Sequence, residues 1–141
     1  MLKIGAIILT IDAGFNFLLA AGILIAIIFF GKNPPILHVS LGEIEIARLD
    51  KPVLTTFKSL AVYFNSAVVT FCLLSIFVIW MGLAHGQRWA FWALFVTMGI
   101  GQISGFVADS LIGNKTLGVN IIFTVVYLSG IGLSWYGLKM K

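Results

Sequence analysis

The chain has 141 residues, of which 60% are hydrophobic and only 10% are charged. Soluble domains carry roughly twice that charged fraction, so the composition argues against a soluble domain and favours a polytopic membrane protein. The net charge of +4 comes from nine Lys and Arg residues, which lie near predicted helix ends and in loops. That distribution is typical of membrane-flanking charge and lacks the contiguous basic face of a nucleic-acid-binding protein. We therefore expect no nucleic-acid partner.

Four apolar runs are long enough to form membrane-spanning helices. The first covers residues 4–30, where Thr10, Asp12 and Asn16 are the polar residues. At about 1.5 Å per residue such a helix reaches ~40 Å, more than the ~30 Å of a hydrocarbon core. The run is also longer than the apolar core of a secretory signal peptide, so we predict a retained helix. The other three runs cover residues 60–83, 89–112 and 117–138.

Short connections join the last three runs, and helices joined by short loops are antiparallel neighbours. We therefore predict an all-α integral membrane protein, in which residues 1–141 form a single antiparallel four-helix transmembrane bundle. Four spans place every Trp at the end that carries the termini, and Trp prefers the membrane interface. These residues are Trp80, Trp89, Trp92 and Trp135. Lys and Arg are nearly balanced between the two sides, and we expect a bacterial cytoplasmic membrane with both termini in the cytoplasm.

The long loop, residues 31–56, contains two short segments in which apolar and polar residues alternate on either side of Gly42. Gly suits the first central position of a type II′ turn, so we predict a β-hairpin that rests its apolar face on the bundle or the lipid surface. A short amphipathic helix or an irregular loop is the alternative. The predicted apolar face carries Leu37, Val39, Leu41, Ile44 and Ile46.

Polar side chains within the apolar runs are informative because lipid offers them no hydrogen-bond partner. They recur at spacings of three, four or seven residues, so each helix presents them on one stripe that should face inward. Their depths, estimated from the helical rise, form a ladder through the bundle. The candidate ligand- or ion-binding residues are Asp12, Asn16, Asn65, Gln102, Asp109 and Asn120.

Two interpretations of this ladder stay open. Amides and hydroxyls commonly hydrogen-bond between membrane helices for ~0.6 kcal/mol per contact, and we interpret most of the ladder in this way. Asp12 differs, because a carboxylate inside a span costs ~2.5 kcal/mol or more and often marks a functional site. For Asp109, which is within reach of the interface and of Lys115, a solvated acid at a helix end is the favoured interpretation.

Other residue patterns bear on partners and cofactors. Gly101 and Gly105 form a GxxxG motif that would let helices approach within one chain or between chains, which leaves a homo-oligomer open. The single cysteine, Cys72, excludes a disulfide framework within one chain. His38 and His85 lie on opposite sides of the predicted bundle and cannot share a ligand. We therefore expect no metal and no cofactor.

No nucleophile, phosphate-binding or zinc motif occurs in the sequence, so we expect no enzymatic activity. Our first hypothesis is a non-catalytic membrane subunit or lipophilic-ligand binding module, with the lipid bilayer and a lipophilic ligand or membrane protein as partners. The alternative is a small proton- or cation-coupled transporter or channel that uses Asp12 and the polar ladder. An enzyme acting on a lipid or quinone comes third.

Overall fold

The computed structural model of the protein describes residues 1–140, apart from the side chain of Ile44. The predicted place of Ile44 on an apolar face, like Lys141, lies outside the described part. Among the described residues, four helices are long and apolar enough to cross a membrane, as predicted. The second of them begins ahead of the apolar run 60–83, at Lys51, where Asp50 and Pro52 in the sequence predict a helix start. In chain order the helices are α1 (Leu2–Phe30), α2 (Pro35–Ser40), α3 (Glu43–Ile46), α4 (Lys51–Met81), α5 (Arg88–Leu111) and α6 (Leu117–Lys139).

The predicted β-hairpin is corrected by the structure, because its two segments form the short helices α2 and α3 and the described residues contain no strand. Pro35 occupies the first helical position, where its fixed φ favours a helix and its missing N–H costs little. Gly42 has a positive φ of 78°, but it precedes α3 instead of turning a strand. Helical spacing also buries Leu37 and Ile46. An isolated two-stranded hairpin would be only marginally stable.

Backbone contacts divide the chain into two compact units, one of Met1–Phe15 and Cys72–Lys141 and the other of Asn16–Phe71. Helices α1 and α4 each contribute one part to each unit. In the second unit, Lys58 Nζ donates a hydrogen bond of 2.5 Å to the carbonyl of Gly31, where α1 ends. Gly31 has a φ of 62°, and its N–H donates to the Ile27 carbonyl. This left-handed residue therefore caps the C-terminal end of α1.

The first unit holds a continuous apolar core. Its buried residues come from the N-terminal part of α1, the C-terminal part of α4 with the 3-10 turn Leu83–His85 that follows it, and α5 and α6. Their many van der Waals contacts stabilise the packing of these helices. Tyr127 fits this core because its hydroxyl donates a 2.6 Å hydrogen bond to the Phe95 carbonyl. The core residues are Leu2, Ala6, Leu9, Ile79, Leu83, Ala90, Phe91, Leu94, Met98, Tyr127, Ile131 and Leu138.

Small residues let α1 approach α6 closely in this unit. A Cβ atom at Gly5 would collide with Ser134 Oγ and would lie 2.7 Å from the Gly130 carbonyl oxygen. A Cβ atom at Gly137 would likewise collide with the backbone of Leu2. Only glycine fits such a contact, and van der Waals packing between small residues is a main source of helix association in lipid.

The predicted GxxxG motif of α5 is divided between two environments. A Cβ atom at Gly105 would lie 3.3 Å from Asn120 Oδ1 in the same chain, whereas one at Gly101 would have no heavy atom within 4 Å. Gly105 therefore serves the packing of α5 on α6. The close contact between α1 and α6 uses other small residues, which the sequence analysis did not single out.

Replacing Gly5 by Ala should destabilise the protein. The added methyl group would force α1 away from α6, and overpacking of this kind lowers the free energy of unfolding by about 1–3 kcal/mol. Unfolding in mixed detergent micelles, followed by far-UV circular dichroism, measures the change. Gly14→Ala is the matched control on the same helix, because a Cβ atom there meets nothing within 4 Å. Equal stability of the two variants would contradict the close α1–α6 contact.

Candidate functional site

The connection from α5 to α6 is built around Asp109. The backbone N–H of Asn114 donates to the Asp109 carbonyl at 2.9 Å, and that of Gly113 donates to the Ser110 carbonyl at 3.3 Å. Gly113 has a φ of 81°. This pattern is a Schellman motif, in which a left-handed residue ends a helix and its last carbonyls are satisfied.

The Asp109 side chain caps the next helix. Its Oδ1 accepts hydrogen bonds from the backbone N–H and from the hydroxyl of Thr116, both at 2.7 Å. Only 2% of Asp109 is exposed, and its Oδ2 is buried with no hydrogen-bond partner among the described residues. The favoured interpretation as a solvated helix-end acid is therefore corrected. The acid is buried because α6 turns back over the end of α5 and needs an acceptor for its first N–H groups.

Two further ladder residues join α5 to α6. Thr124 Oγ1 donates to Gln102 Oε1 at 3.1 Å, and Asn120 Nδ2 donates to the Gly105 carbonyl at 3.3 Å. These half-buried contacts are the interhelical hydrogen bonds expected of polar groups in an apolar helix pair. Gln102 and Asn120 thus lie on one seam, with the Asp109 cap at its end.

The remaining three candidates lie on α1 and α4 and not on the two helices that form this seam. Asp12 belongs to the first unit and is 2% exposed. Asn16 and Asn65 belong to the second unit, where Asn65 Nδ2 donates to the Ala61 carbonyl of its own helix at 2.7 Å. Within the described residues, no group of three or more His, Cys, Asp or Glu side chains could hold a metal ion.

Aromatic side chains form a second candidate site between α5 and α6, at the end opposite the Asp109 turn. Phe91 stacks on Phe95, with ring centroids 6.2 Å apart, and Trp135 lies 5.2 Å from Phe91 and 6.0 Å from Trp92. These rings border a cavity of about 260 Å³. We call it the aromatic groove, and its lining residues are Phe91, Trp92, Phe95, Ile131, Gly132 and Trp135.

Gly132 explains why space remains beside these rings. A Cβ atom there would have no heavy atom within 4 Å, so at this position α6 has open space where a larger residue would place a side chain. Trp92 and Phe95 are 52% and 42% exposed, so the groove is open on its outer side. In the sequence alone, the Trp residues indicate only the membrane interface. Aromatic residues at positions 91, 92 and 95 share one side of a helix, and that spacing was the signal for a groove wall.

A second cavity of about 240 Å³ adjoins the aromatic groove and shares Phe91, Trp92 and Trp135 with it. Two cations, Arg88 and Lys139, line this second cavity, which we call the cationic mouth. The arrangement offers an apolar, polarisable surface beside positive charge, and it contains no paired nucleophile and base.

Comparisons with protein-family models, with curated proteins and with solved structures give no match for this chain.

Asp109→Ala should lower the free energy of unfolding by about 1–3 kcal/mol, because it removes a helix cap and leaves a buried N–H and hydroxyl without an acceptor. Asp109→Asn should cost less, since its amide oxygen can accept the same two bonds. Thr116→Ser, which keeps the hydroxyl, is the control. Detergent unfolding curves of the three variants test the cap, and an Asp109→Ala protein as stable as the wild type would contradict it.

Proposed function

We propose that this chain is an integral membrane protein whose four long helices cross the bilayer as an antiparallel bundle. The shortest, α6, has 23 residues, which at ~1.5 Å per residue reach ~35 Å and exceed the ~30 Å hydrocarbon core. In the most apolar window of each helix, only between 17% and 28% of the residues are buried. The remaining apolar surface needs lipid or a protein partner to cover it. Both termini would then lie on one side of the membrane.

We infer that the protein acts there as a non-catalytic module that binds a lipophilic ligand in the aromatic groove. The groove itself is the observation that carries this proposal. Ligand sites for apolar molecules are concave, lined by aromatic and aliphatic side chains, and commonly lie between the helices of a bundle. By contrast, Gln102, Asp109 and Asn120 are engaged in hydrogen bonds that hold α5 and α6 together, which supports a structural role for that part of the ladder.

Filling the groove should abolish ligand binding. Gly132→Leu adds a branched side chain at the lining of the groove without removing a contact, since nothing lies within 4 Å of the added Cβ. Native mass spectrometry of the full chain in detergent, with dioleoyl phosphatidylglycerol, dioleoyl phosphatidylcholine and uncharged dioleoylglycerol as probes, measures the bound fraction. We expect the wild type to retain at least one of these probes and Gly132→Leu to lose it.

Gly118→Leu is the matched control for this experiment. Gly118 also lies on α6, is exposed, and has no heavy atom within 4 Å of an added Cβ, but it does not line the groove. Gly118→Leu should therefore bind the probe as the wild type does. Equal binding of every probe by the wild type and Gly132→Leu would refute the proposed site.

A proton- or cation-coupled transporter is the second candidate, favoured by the burial of Asp12 within an apolar helix. Under this hypothesis, proteoliposomes that contain the wild type show a proton or sodium flux that Asp12→Asn abolishes. Asp50→Asn, which changes an exposed acid outside the long apolar runs, is the control and should keep the flux. A wild type without flux for protons, sodium or potassium would remove this candidate.

A further inference from the structure

We propose that the cationic mouth binds the anionic phosphate headgroup of a phospholipid whose acyl chain occupies the aromatic groove. This inference rests on the proposed function, because it names the ligand of that site. Arg88 and Lys139 line the mouth, and Phe91, Trp92 and Trp135 border both cavities. Positive charge and apolar surface are therefore continuous, which is the pattern that an amphipathic anion requires.

The mouth carries positive charge that the described residues do not balance. Arg88 and Lys139 line the same cavity, so an anion bound there would be attracted to both charges. Among the described residues, neither cation has a carboxylate within ion-pair distance. The sequence gives the reason, because no Asp or Glu occurs between Asp50 and Asp109, and none follows Asp109. An anion from outside the chain fits this imbalance.

The two cations offer different contacts to a phosphate group. Lys139 Nζ lies 5.1 Å from the centroid of the Trp135 ring, a cation–π contact that holds the ammonium at the groove wall. The Arg88 guanidinium presents a planar fork of N–H donors that matches two phosphate oxygens, whereas the lysine acts as a point charge. Together they favour a single phosphate over an uncharged or zwitterionic headgroup.

The groove next to the mouth selects a lipid as the source of that phosphate. A free phosphate ion would use the cations and leave the exposed apolar surface of Trp92 and Phe95 uncovered. An acyl chain would pack against those side chains and into the space beside Gly132. In the proposed topology this end of α5 and α6 lies at the membrane interface, where Trp and basic residues meet lipid headgroups.

Headgroup selectivity tests this inference. Native mass spectrometry compares the affinities of the full chain for dioleoyl phosphatidylglycerol and dioleoyl phosphatidylcholine, which share their acyl chains. A basic residue near an anionic headgroup contributes about fivefold in affinity, which corresponds to ~1 kcal/mol. We expect Arg88→Gln and Lys139→Gln each to lower the phosphatidylglycerol affinity about fivefold and to leave phosphatidylcholine binding unchanged.

Lys3→Gln is the matched control, since it removes the same charge from an exposed position on α1 that does not line the mouth. It should keep the preference for phosphatidylglycerol. If Lys3→Gln lowers that preference as much as the mouth variants, the attraction is diffuse and the inference fails. If the wild type binds both lipids equally and Gly132→Leu binds neither, the groove is supported as the ligand site and the anion-binding inference is wrong. If Gly132→Leu affects neither lipid, the proposed function fails as well.

Discussion

The pairing of α5 with α6 is the constraint on which the candidate sites depend. The Asp109 cap lies at the turn, and each later contact joins a residue farther back along α5 to a residue farther forward along α6. From the turn outward, the contacts join Asp109 to Thr116, Gly105 to Asn120, Gln102 to Thr124, Phe95 to Tyr127, and Phe91 to Trp135. The carboxylate cap at one end and the aromatic contacts at the other thus belong to one register of α5 on α6.

That register also explains why a groove exists where it does. Two glycines of α5 receive a side chain from α6: a Cβ atom at Gly99 would lie 3.1 Å from the Tyr127 hydroxyl, and one at Gly105 would lie 3.3 Å from Asn120. A Cβ atom at Gly101, Gly118 or Gly132 would have no heavy atom within 4 Å. Gly132 receives none, although it lies beside the bulky rings of α5. Gly132 is exposed and lines the aromatic groove, so the open space beside it is part of the surface that we propose a ligand covers.

Sequence patterns predicted the four long helices because an apolar run of more than twenty residues is long enough to span a membrane as a helix. They failed for α2 and α3, since alternation over five residues also fits a helix in which Leu37 and Leu41 are neighbours at spacing four. The acid at position 109 was recognised as a candidate, but its burial depends on how α6 returns over the turn. The aromatic groove needed the register between two helices, which spacing within one helix does not contain.

The same logic accounts for the burial of Asp12. Leu2, Gly5 and Leu9 form the face of α1 that packs on α6, where a Cβ atom at Gly130 would lie 2.8 Å from the Leu9 side chain. Asp12 follows Leu9 by three residues and Gly5 by seven, so it lies on this same stripe. The close approach at Gly5 therefore carries the acid into the interior of the first unit, whatever its chemical role. A buried acid is costly unless the surrounding residues stabilise it. The glycine contact that brings α1 against α6 therefore also sets the environment of the Asp12 carboxyl group.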